Sequence, residues 1–268
     1  MLVRESSNTD LIDDSGLNIE KFIGDVSSAE SMKEFCKGNY DTLIHISGVH
    51  DTLVVASIAL NAGVKRLILV HTTGIYSKYK AAGEEYRQID AEIKKQAKEH
   101  DAAITILRPT MIYGNMNDRN ISVFIKMVDR LRLFPTVNGA KYELQPVWCG
   151  DLGKAYYQVM MNPLATDGKD YILSGGQPIM LIEMFKIIAN QLGVKNTFIS
   201  IPFWIAYSGA WLIFIITFGR KDMREKVQRL VEPRAYNHEG ATKDFGYAPL
   251  SFEDGIKPEI LEYISAKG

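Results

Sequence analysis

RLILVHTT, residues 66–73, is a run of large apolar and β-branched residues that ends on two hydroxyl side chains. Similar short runs lie on both sides of it, namely EKFIG (20–24), DTLIHIS (41–47) and AITILRPT (103–110). The stretches between these runs have helical patterns, namely SAESMKEFCKG (28–38), VVASIALNAG (54–63) and the segment around Tyr86. Short apolar strands that alternate with helices predict βαβ units on a parallel sheet. The sequence therefore predicts a doubly wound α/β domain.

The alternation of short strands with helices becomes less regular beyond about residue 115. The later segments are YILSGG (171–176), the helical PIMLIEMFKIIANQLG (178–193) and an apolar stretch over 198–218. We predict an α/β domain over residues 1–160 and a smaller second lobe over residues 161–268.

The bulk composition excludes several classes of protein. The chain of 268 residues has a formal charge of −1 and a pI near 6.5, and it has no long Lys/Arg run, so a nucleic-acid partner is not expected. Its two cysteines, Cys36 and Cys149, lie far apart, and Met1–Arg4 is not an apolar signal segment. A disulfide scaffold and secretion are therefore not expected, and we predict a reducing, cytoplasmic setting. The five histidines show no metal-binding spacing, so no metal site is predicted.

Six segments occur in the order found in one family. They are GDVSSAESM (24–32), DTLIHISG (41–48), AGVKRLILVHTTGIY (62–76), ITILRPTMIYG (104–114), QPVWCGDLGKA (145–155) and TKDFGYAPLSFEDGI (242–256). Together they resemble the extended short-chain dehydrogenase/reductases, the NAD(P)-dependent epimerase/dehydratase group. The resemblance implies a Rossmann-like domain for NAD or NADP, a substrate-binding lobe, and a nucleotide-linked sugar or related hydroxyl or carbonyl compound as substrate. It leaves a homodimer open.

The Gly-rich turn that holds the cofactor pyrophosphate in this family has no counterpart here. The chain contains neither G-x-G-x-x-G nor G-x-x-G-x-x-G, and its first residues, MLVRESSN, resemble the end of the family's second strand. We therefore expect that about thirty residues, the size of a βα unit, are missing from the family pattern. Weak or absent cofactor binding and unpaired strand edges are the expected consequences.

The resemblance assigns cofactor contacts to residues that follow strands. Arg4 matches an arginine that meets the 2′-phosphate of NADP, and Asp25 matches an acid that contacts adenine; the alternative for Asp25 is an acid at a helix N-cap. Further contacts are expected at the ends of two later strands, from Ile46, Ser47, Gly48, Pro109 and Met111.

The family's catalytic set is a Ser/Thr, a Tyr and a Lys. Thr72 or Thr73 matches the hydroxyl, and Tyr86, thirteen residues after Thr73, matches the tyrosine. Asp90 occupies the lysine position one helical turn later, where a carboxylate should raise the tyrosine pKa. Tyr76 and Lys80 have the literal Y-x-x-x-K spacing and form a second candidate pair. A structural role, with the ring half-buried, is the alternative for each tyrosine.

FISIPFWIAYSGAWLIFIITF, residues 198–218, carries no charge and is followed by Arg220, Lys221 and Arg224. Its length suits a membrane span, but Pro202 and Ser208-Gly209 interrupt it. We favour a lid helix, with peripheral contact to a membrane surface as the second interpretation.

Three functions remain open at this point. The first is an NAD(P)-dependent oxidoreductase of the epimerase/dehydratase kind, favoured by the segments around Thr72 and Pro109. The second is a non-catalytic NAD(P)-binding sensor or scaffold, favoured by Asp90. The third is an inactive fragment.

Overall fold

The computed structural model describes residues 1–79 and 83–267. Its strands are β1 (Leu2–Val3), β2 (Phe22–Ile23), β3 (Thr42–His45), β4 (Arg66–Val70), β5 (Ala103–Pro109), β6 (Ile112–Tyr113), β7 (Leu133–Val137), β8 (Glu143–Leu144), β9 (Val147–Trp148), β10 (Asp170–Leu173), β11 (Ile179–Met180) and β12 (Thr197–Ile201). Its α-helices are α1 (Asp10–Asp13), α2 (Ala29–Cys36), α3 (Thr52–Asn61), α4 (Gly83–Glu99), α5 (Ile121–Arg130), α6 (Cys149–Met161), α7 (Pro163–Thr166), α8 (Leu181–Leu192), α9 (Phe203–Ile216), α10 (Arg224–Leu230), α11 (Glu239–Phe245), α12 (Phe252–Gly255) and α13 (Lys257–Lys267). Short 3₁₀ helices lie at Val49–Asp51, Thr73–Tyr76 and Asn138–Ala140.

The chain divides into two compact units, and each is assembled from separate segments. The first unit comprises Met1–His71, Glu84–Leu107 and Thr166–Asp170, and the second comprises Thr72–Gly83, Arg108–Ala165 and Tyr171–Gly268.

A parallel sheet with strand order β10-β5-β4-β3 confirms the predicted α/β class. β4 is its most buried strand, with every residue from Arg66 to Val70 buried, and it pairs in parallel with β3 on one side and β5 on the other. A strand covered on both faces is apolar throughout rather than alternating, which is why RLILV reads as a continuous apolar run.

β1 and β2 form a separate parallel pair in the first unit, in which Leu2 aligns with Phe22 and Val3 with Ile23. A cavity of about 720 Å³ is lined by residues of both β1 and β3. Among the described residues, β1 pairs with β2 and β3 pairs with β4.

Helix ends in the first unit follow local rules. Ser28 caps α2 by accepting a hydrogen bond from the Ser31 amide, and Gly63, with φ of 93°, provides the left-handed turn after α3. Ser28 thus begins α2 shortly after β2, and Gly63 ends α3 shortly before β4.

The second unit has its own hydrophobic core. Aromatic and aliphatic residues of α5 and α8 pack together with residues of α12 and α13, including Ile125, Phe185, Phe252 and Ile260. β12 pairs in parallel with β7 and leads into α9. Within residues 1–79 and 83–267, none of the helices combines the length and apolar character that crossing a bilayer requires.

Candidate functional site

Four of the residues that the family resemblance assigns to cofactor contacts line the cavity of the first unit. Arg4, Asp25, Ile46 and Ser47 all line it. Each follows a parallel strand by one to two residues, since β1 ends at Val3, β2 at Ile23 and β3 at His45. The carboxyl ends of parallel strands form the edge at which α/β sheets bind ligands. These four residues therefore line one cavity near the carboxyl ends of parallel strands.

Asp25 is held in place by its own turn. Its Oδ1 atom accepts hydrogen bonds from the Ser27 backbone amide at 2.9 Å and from the Ser27 hydroxyl at 2.8 Å. These two bonds, and to a smaller extent the Arg4 charge, lower the pKa of the Asp25 carboxyl. The N-cap position of α2 belongs to Ser28 rather than to Asp25. Asp25 therefore presents an ionised carboxylate to the cavity.

The remaining predicted cofactor contacts make backbone interactions elsewhere. The Gly48 carbonyl accepts hydrogen bonds from His45 Nε2 at 2.8 Å and from the Thr52 hydroxyl at 3.3 Å. In the second unit, the Pro109 carbonyl accepts a bond from Thr73, and the Met111 carbonyl accepts one from the Val147 amide. Gly48 is not among the residues that line the cavity.

A buried acid and a buried histidine pair at the edge of the central sheet. His71 follows β4, and its Nδ1 atom lies 2.6 Å from Asp90 Oδ1 on α4. The side chains are 1% and 11% exposed, respectively. His71 Nε2 is also buried and has no hydrogen-bond partner among the described residues. Asp90 therefore fixes the orientation of the imidazole, an interaction that sequence comparison missed.

Tyr86 lies one helical turn before Asp90 on α4 and is 8% exposed. Its ring centroid is 5.6 Å from that of His50, whose Nδ1 atom contacts Glu85 Oε1 at 2.8 Å. The tyrosine ring is therefore packed in the first unit against a histidine that is itself paired at the surface.

Thr72 and Thr73, predicted at the end of a strand, lie just beyond it. β4 ends at Val70, and the two threonines begin a 3₁₀ turn in the second unit. The buried Thr73 hydroxyl donates to the Pro109 carbonyl at 3.2 Å, whereas the Thr72 hydroxyl accepts from the Gly74 amide at 3.0 Å. Among the described residues, the Thr72 hydroxyl donates no hydrogen bond, whereas the Thr73 hydroxyl does.

Comparison with known proteins gives relatives that are similar in sequence and solved structures that are similar in fold. No family model matches the chain. The chain is 23% identical over 248 residues to the 2-alkyl-3-oxoalkanoate reductase of Stenotrophomonas maltophilia, covering 82% of this chain and 74% of the relative. It is 21% identical over 232 residues to the UDP-glucose 4-epimerase of Vibrio cholerae, covering 80% and 68%. In sequence, the chain is similar to members of the short-chain dehydrogenase/reductases.

Solved structures show that the fold extends over nearly the whole chain. The crystal structure of gox2253 matches with a TM-score of 0.77 at 19% identity, covering 99% of this chain and 90% of that one. The UDP-glucose 4-epimerase of Thermotoga maritima, solved with UDP-glucose, matches with a TM-score of 0.73 at 16% identity, covering 100% and 91%. The dTDP-glucose 4,6-dehydratase DesIV of Streptomyces venezuelae, solved with NAD and TYD, gives 0.71 at 16%, covering 96% and 83%.

The second candidate pair, Tyr76 and Lys80, can be described only in part. Lys80 lies outside the described residues. Tyr76 ends the Thr73–Tyr76 turn, is exposed, and has its ring centroid 5.7 Å from that of Tyr236. No group of three or more metal-binding side chains occurs among the residues that the structure describes.

A second buried carboxyl group lies far from these residues in the sequence. Glu259 of α13 is fully buried and accepts a hydrogen bond from the Gly114 amide at 2.9 Å. Burial, and secondarily the neighbouring Asp118 carboxyl group, raise the pKa of Glu259 to about 9. The Tyr113 hydroxyl is buried in the same region, and burial also raises the tyrosine pKa. Glu259 is therefore protonated at neutral pH, and only the folded arrangement reveals it.

Proposed function

We propose that this protein is an NAD(P)-dependent oxidoreductase of the epimerase/dehydratase kind that acts on a nucleotide-linked sugar or a related hydroxyl or carbonyl compound. The observation that carries the proposal is the convergence of Arg4, Asp25 and Ser47 on one cavity at the carboxyl ends of parallel strands. A relative named UDP-glucose 4-epimerase and neighbours solved with NAD, NADPH or UDP-glucose support the same class of ligand. The two free cysteines support a cytoplasmic setting.

The cavity fits the adenosine half of a nicotinamide dinucleotide. The ionised Asp25 can accept hydrogen bonds from ribose hydroxyls or from the adenine amino group. Arg4 supplies a cation that can bind a 2′-phosphate, which would favour NADP over NAD. No glycine-rich run in the chain offers amides to the pyrophosphate, so we expect affinities in the millimolar range rather than the micromolar range.

When bound, a nicotinamide ring supplies the acceptor or donor of a hydride. The residues of this chain would then handle the proton and position the substrate. From the family resemblance, we assign proton transfer to the Tyr86 hydroxyl and substrate binding to the Thr72 hydroxyl.

A non-catalytic cofactor-binding sensor is the second candidate function, and one contact favours it. The position at which the family carries a lysine holds Asp90, which is hydrogen-bonded to His71 and cannot stabilise a tyrosinate. Cofactor binding without turnover would distinguish this candidate from the first.

Calorimetric titration with NADP and NAD at millimolar concentrations tests the proposed cofactor site. Arg4→Ala should weaken NADP binding several-fold and leave NAD binding unchanged, whereas Asp25→Asn should weaken both. Arg87→Ala, which removes an arginine on α4, is the matched control and should change neither. Absence of binding for both dinucleotides, or equal effects of Arg4→Ala and Arg87→Ala, would refute the assignment.

Turnover is tested on UDP-glucose, dTDP-glucose and a 2-alkyl-3-oxoalkanoate, each with added dinucleotide. Conversion of any of them supports the oxidoreductase, whereas dinucleotide binding with no conversion of the panel supports the sensor.

A further inference from the structure

Helix α9 is apolar on every side. Its sequence, FWIAYSGAWLIFII, contains no charged residue, and Ala210 is its buried residue. Most of its large side chains are exposed, namely Trp204, Ile205, Trp211, Leu212, Ile213, Ile215 and Ile216. Phe218, just beyond the helix, is 94% exposed. A helix that is apolar all round is normally covered by protein or lipid, so this exposure requires a partner.

The arrangement of the exposed side chains distinguishes between partners. At about 100° per residue, the exposed positions from Trp204 to Ile216 cover an arc of about 200° of the helix circumference. Ala206, Ala210 and Phe214 lie on the opposite side, where exposure is lower. A surface helix that packs on protein normally has an apolar stripe of at least about 100° and a charged or polar face opposite it. A lipid environment covers the wider arc without a matching surface.

Positive charge follows the helix immediately. Residues 220–229 contain five basic side chains and two acidic ones. Arg224 stacks on two α9 rings, with its guanidinium carbon 4.6 Å from the Trp211 centroid and 4.1 Å from that of Phe214. It also pairs with Asp222 at 2.6 Å, whereas Arg220, Lys221 and Lys226 are exposed. The basic segment is thereby fixed beside the end of the apolar helix.

From these features we infer that α9 inserts into the surface of an anionic lipid bilayer, with the basic segment over the headgroups. Apolar side chains with two tryptophans suit the boundary between headgroups and acyl chains, and the adjacent cations are complementary to anionic lipid. The helix has 14 residues, which suits insertion into one leaflet rather than a span. This inference is independent of the proposed cofactor and substrate.

Sedimentation with vesicles tests the inference. The full chain is mixed with phosphatidylcholine vesicles, with or without phosphatidylglycerol, and the pelleted fraction is measured. We expect sedimentation with the anionic vesicles and much less with the neutral ones. The double variant Leu212→Glu/Ile216→Glu should remain in the supernatant. Leu164→Glu, which places one negative charge at a fully exposed leucine outside α9, is the control and should sediment like wild type.

The basic segment is tested separately. Arg220→Glu/Lys221→Glu should weaken binding to anionic vesicles by at least ~5-fold for each cation removed, since one cation near an anionic surface contributes about that factor. Circular dichroism shows whether each variant is folded. In the variant Trp148→Phe/Trp211→Phe, which retains Trp204, brominated lipid should quench the fluorescence of that tryptophan.

Three results would overturn the inference. The first is wild-type protein that stays in the supernatant with both vesicle types. The second is a folded Leu212→Glu/Ile216→Glu variant that sediments as wild type does. The third is a wild-type dimer in analytical ultracentrifugation that the double variant dissociates without any vesicle binding, which would assign the surface to a second copy of the chain.

Discussion

Asp90 of α4 holds His71 at the end of β4 through a hydrogen bond of 2.6 Å between Oδ1 and Nδ1. The bond joins a helix to the central sheet inside the first unit. Its carboxylate belongs to the residue that matches the lysine position of the family resemblance. Asp90 therefore has a defined structural partner in His71.

Removing the carboxylate should destabilise the fold. In Asp90→Ala the buried His71 Nδ1 atom loses its partner, and we expect a loss of about 1–3 kcal/mol in the free energy of unfolding. Glu85→Ala removes the exposed partner of His50 and serves as the control, with an expected change below about 1 kcal/mol. Urea denaturation measures both. Equal effects of the two variants would show that the buried pair contributes no more than the surface pair.

Tyr86→Phe should separate the catalytic role from the structural one. If the hydroxyl transfers a proton, turnover should fall by about two to four orders of magnitude while dinucleotide affinity stays nearly unchanged. Tyr76→Phe tests the competing candidate, and we expect it to retain most of the activity. The measurement is the initial rate on whichever substrate of the panel is converted. A larger loss in Tyr76→Phe than in Tyr86→Phe would reverse the assignment.

The buried Glu259 should make the free energy of unfolding depend on pH. Its folded pKa of about 9 lies above the ordinary value of 4.5, so its protonated form contributes fully below about pH 4.5, and the contribution is lost progressively as pH rises towards 9. Glu259→Gln keeps an acceptor for the Gly114 amide but cannot ionise. The stability of the variant relative to wild type should therefore increase from about pH 5 to about pH 9. Urea denaturation across that range measures it, and a constant difference would contradict the raised pKa.

Two glycine-to-alanine substitutions should have opposite effects. A Cβ atom on Gly175 would lie 2.0 Å from the Pro146 carbonyl oxygen, whereas one on Gly153 of α6 would meet nothing within 4 Å. Gly175→Ala should destabilise the chain by more than about 1 kcal/mol through backbone displacement. Gly153→Ala should stabilise it by about 0.5–1 kcal/mol, because alanine is the better residue inside a helix. Thermal unfolding compares them, and the same sign for both would refute the packing argument.

The sheet could be predicted from sequence because its strands are continuous apolar runs. RLILV, TLIH and AITILRP each became β-strands, and the intervening helical patterns became α2, α3 and α4. The residues that make up each unit were not apparent from the sequence. Thr166–Asp170 belongs to the first unit although residues 108–165, which precede it, belong to the second. Burial on both faces marks a strand locally, whereas assembly into units depends on contacts between distant segments.

The positions of Arg4, Asp25 and Ser47 after strands could be predicted from the strand pattern, whereas their role as cofactor contacts stays a prediction. The His71 to Asp90 bond joins residues 19 positions apart on different elements, and the Glu259 to Gly114 bond joins residues 145 positions apart. Neither spacing has a local signature, because the strand-to-helix and helix-to-loop packing that creates the contact is set by the whole fold.

The His71 to Asp90 bond also constrains how this sequence can change. A lysine at position 90 would place an ammonium group beside the buried imidazole that the carboxylate now satisfies, so Asp90→Lys alone should be destabilising. If position 71 is first replaced by a residue that needs no acidic partner, the same lysine becomes easier to accommodate. The effect of introducing a lysine at position 90, one turn after Tyr86, therefore depends on the residue at position 71. If the substitution at position 90 comes first, the intermediate is the destabilised one.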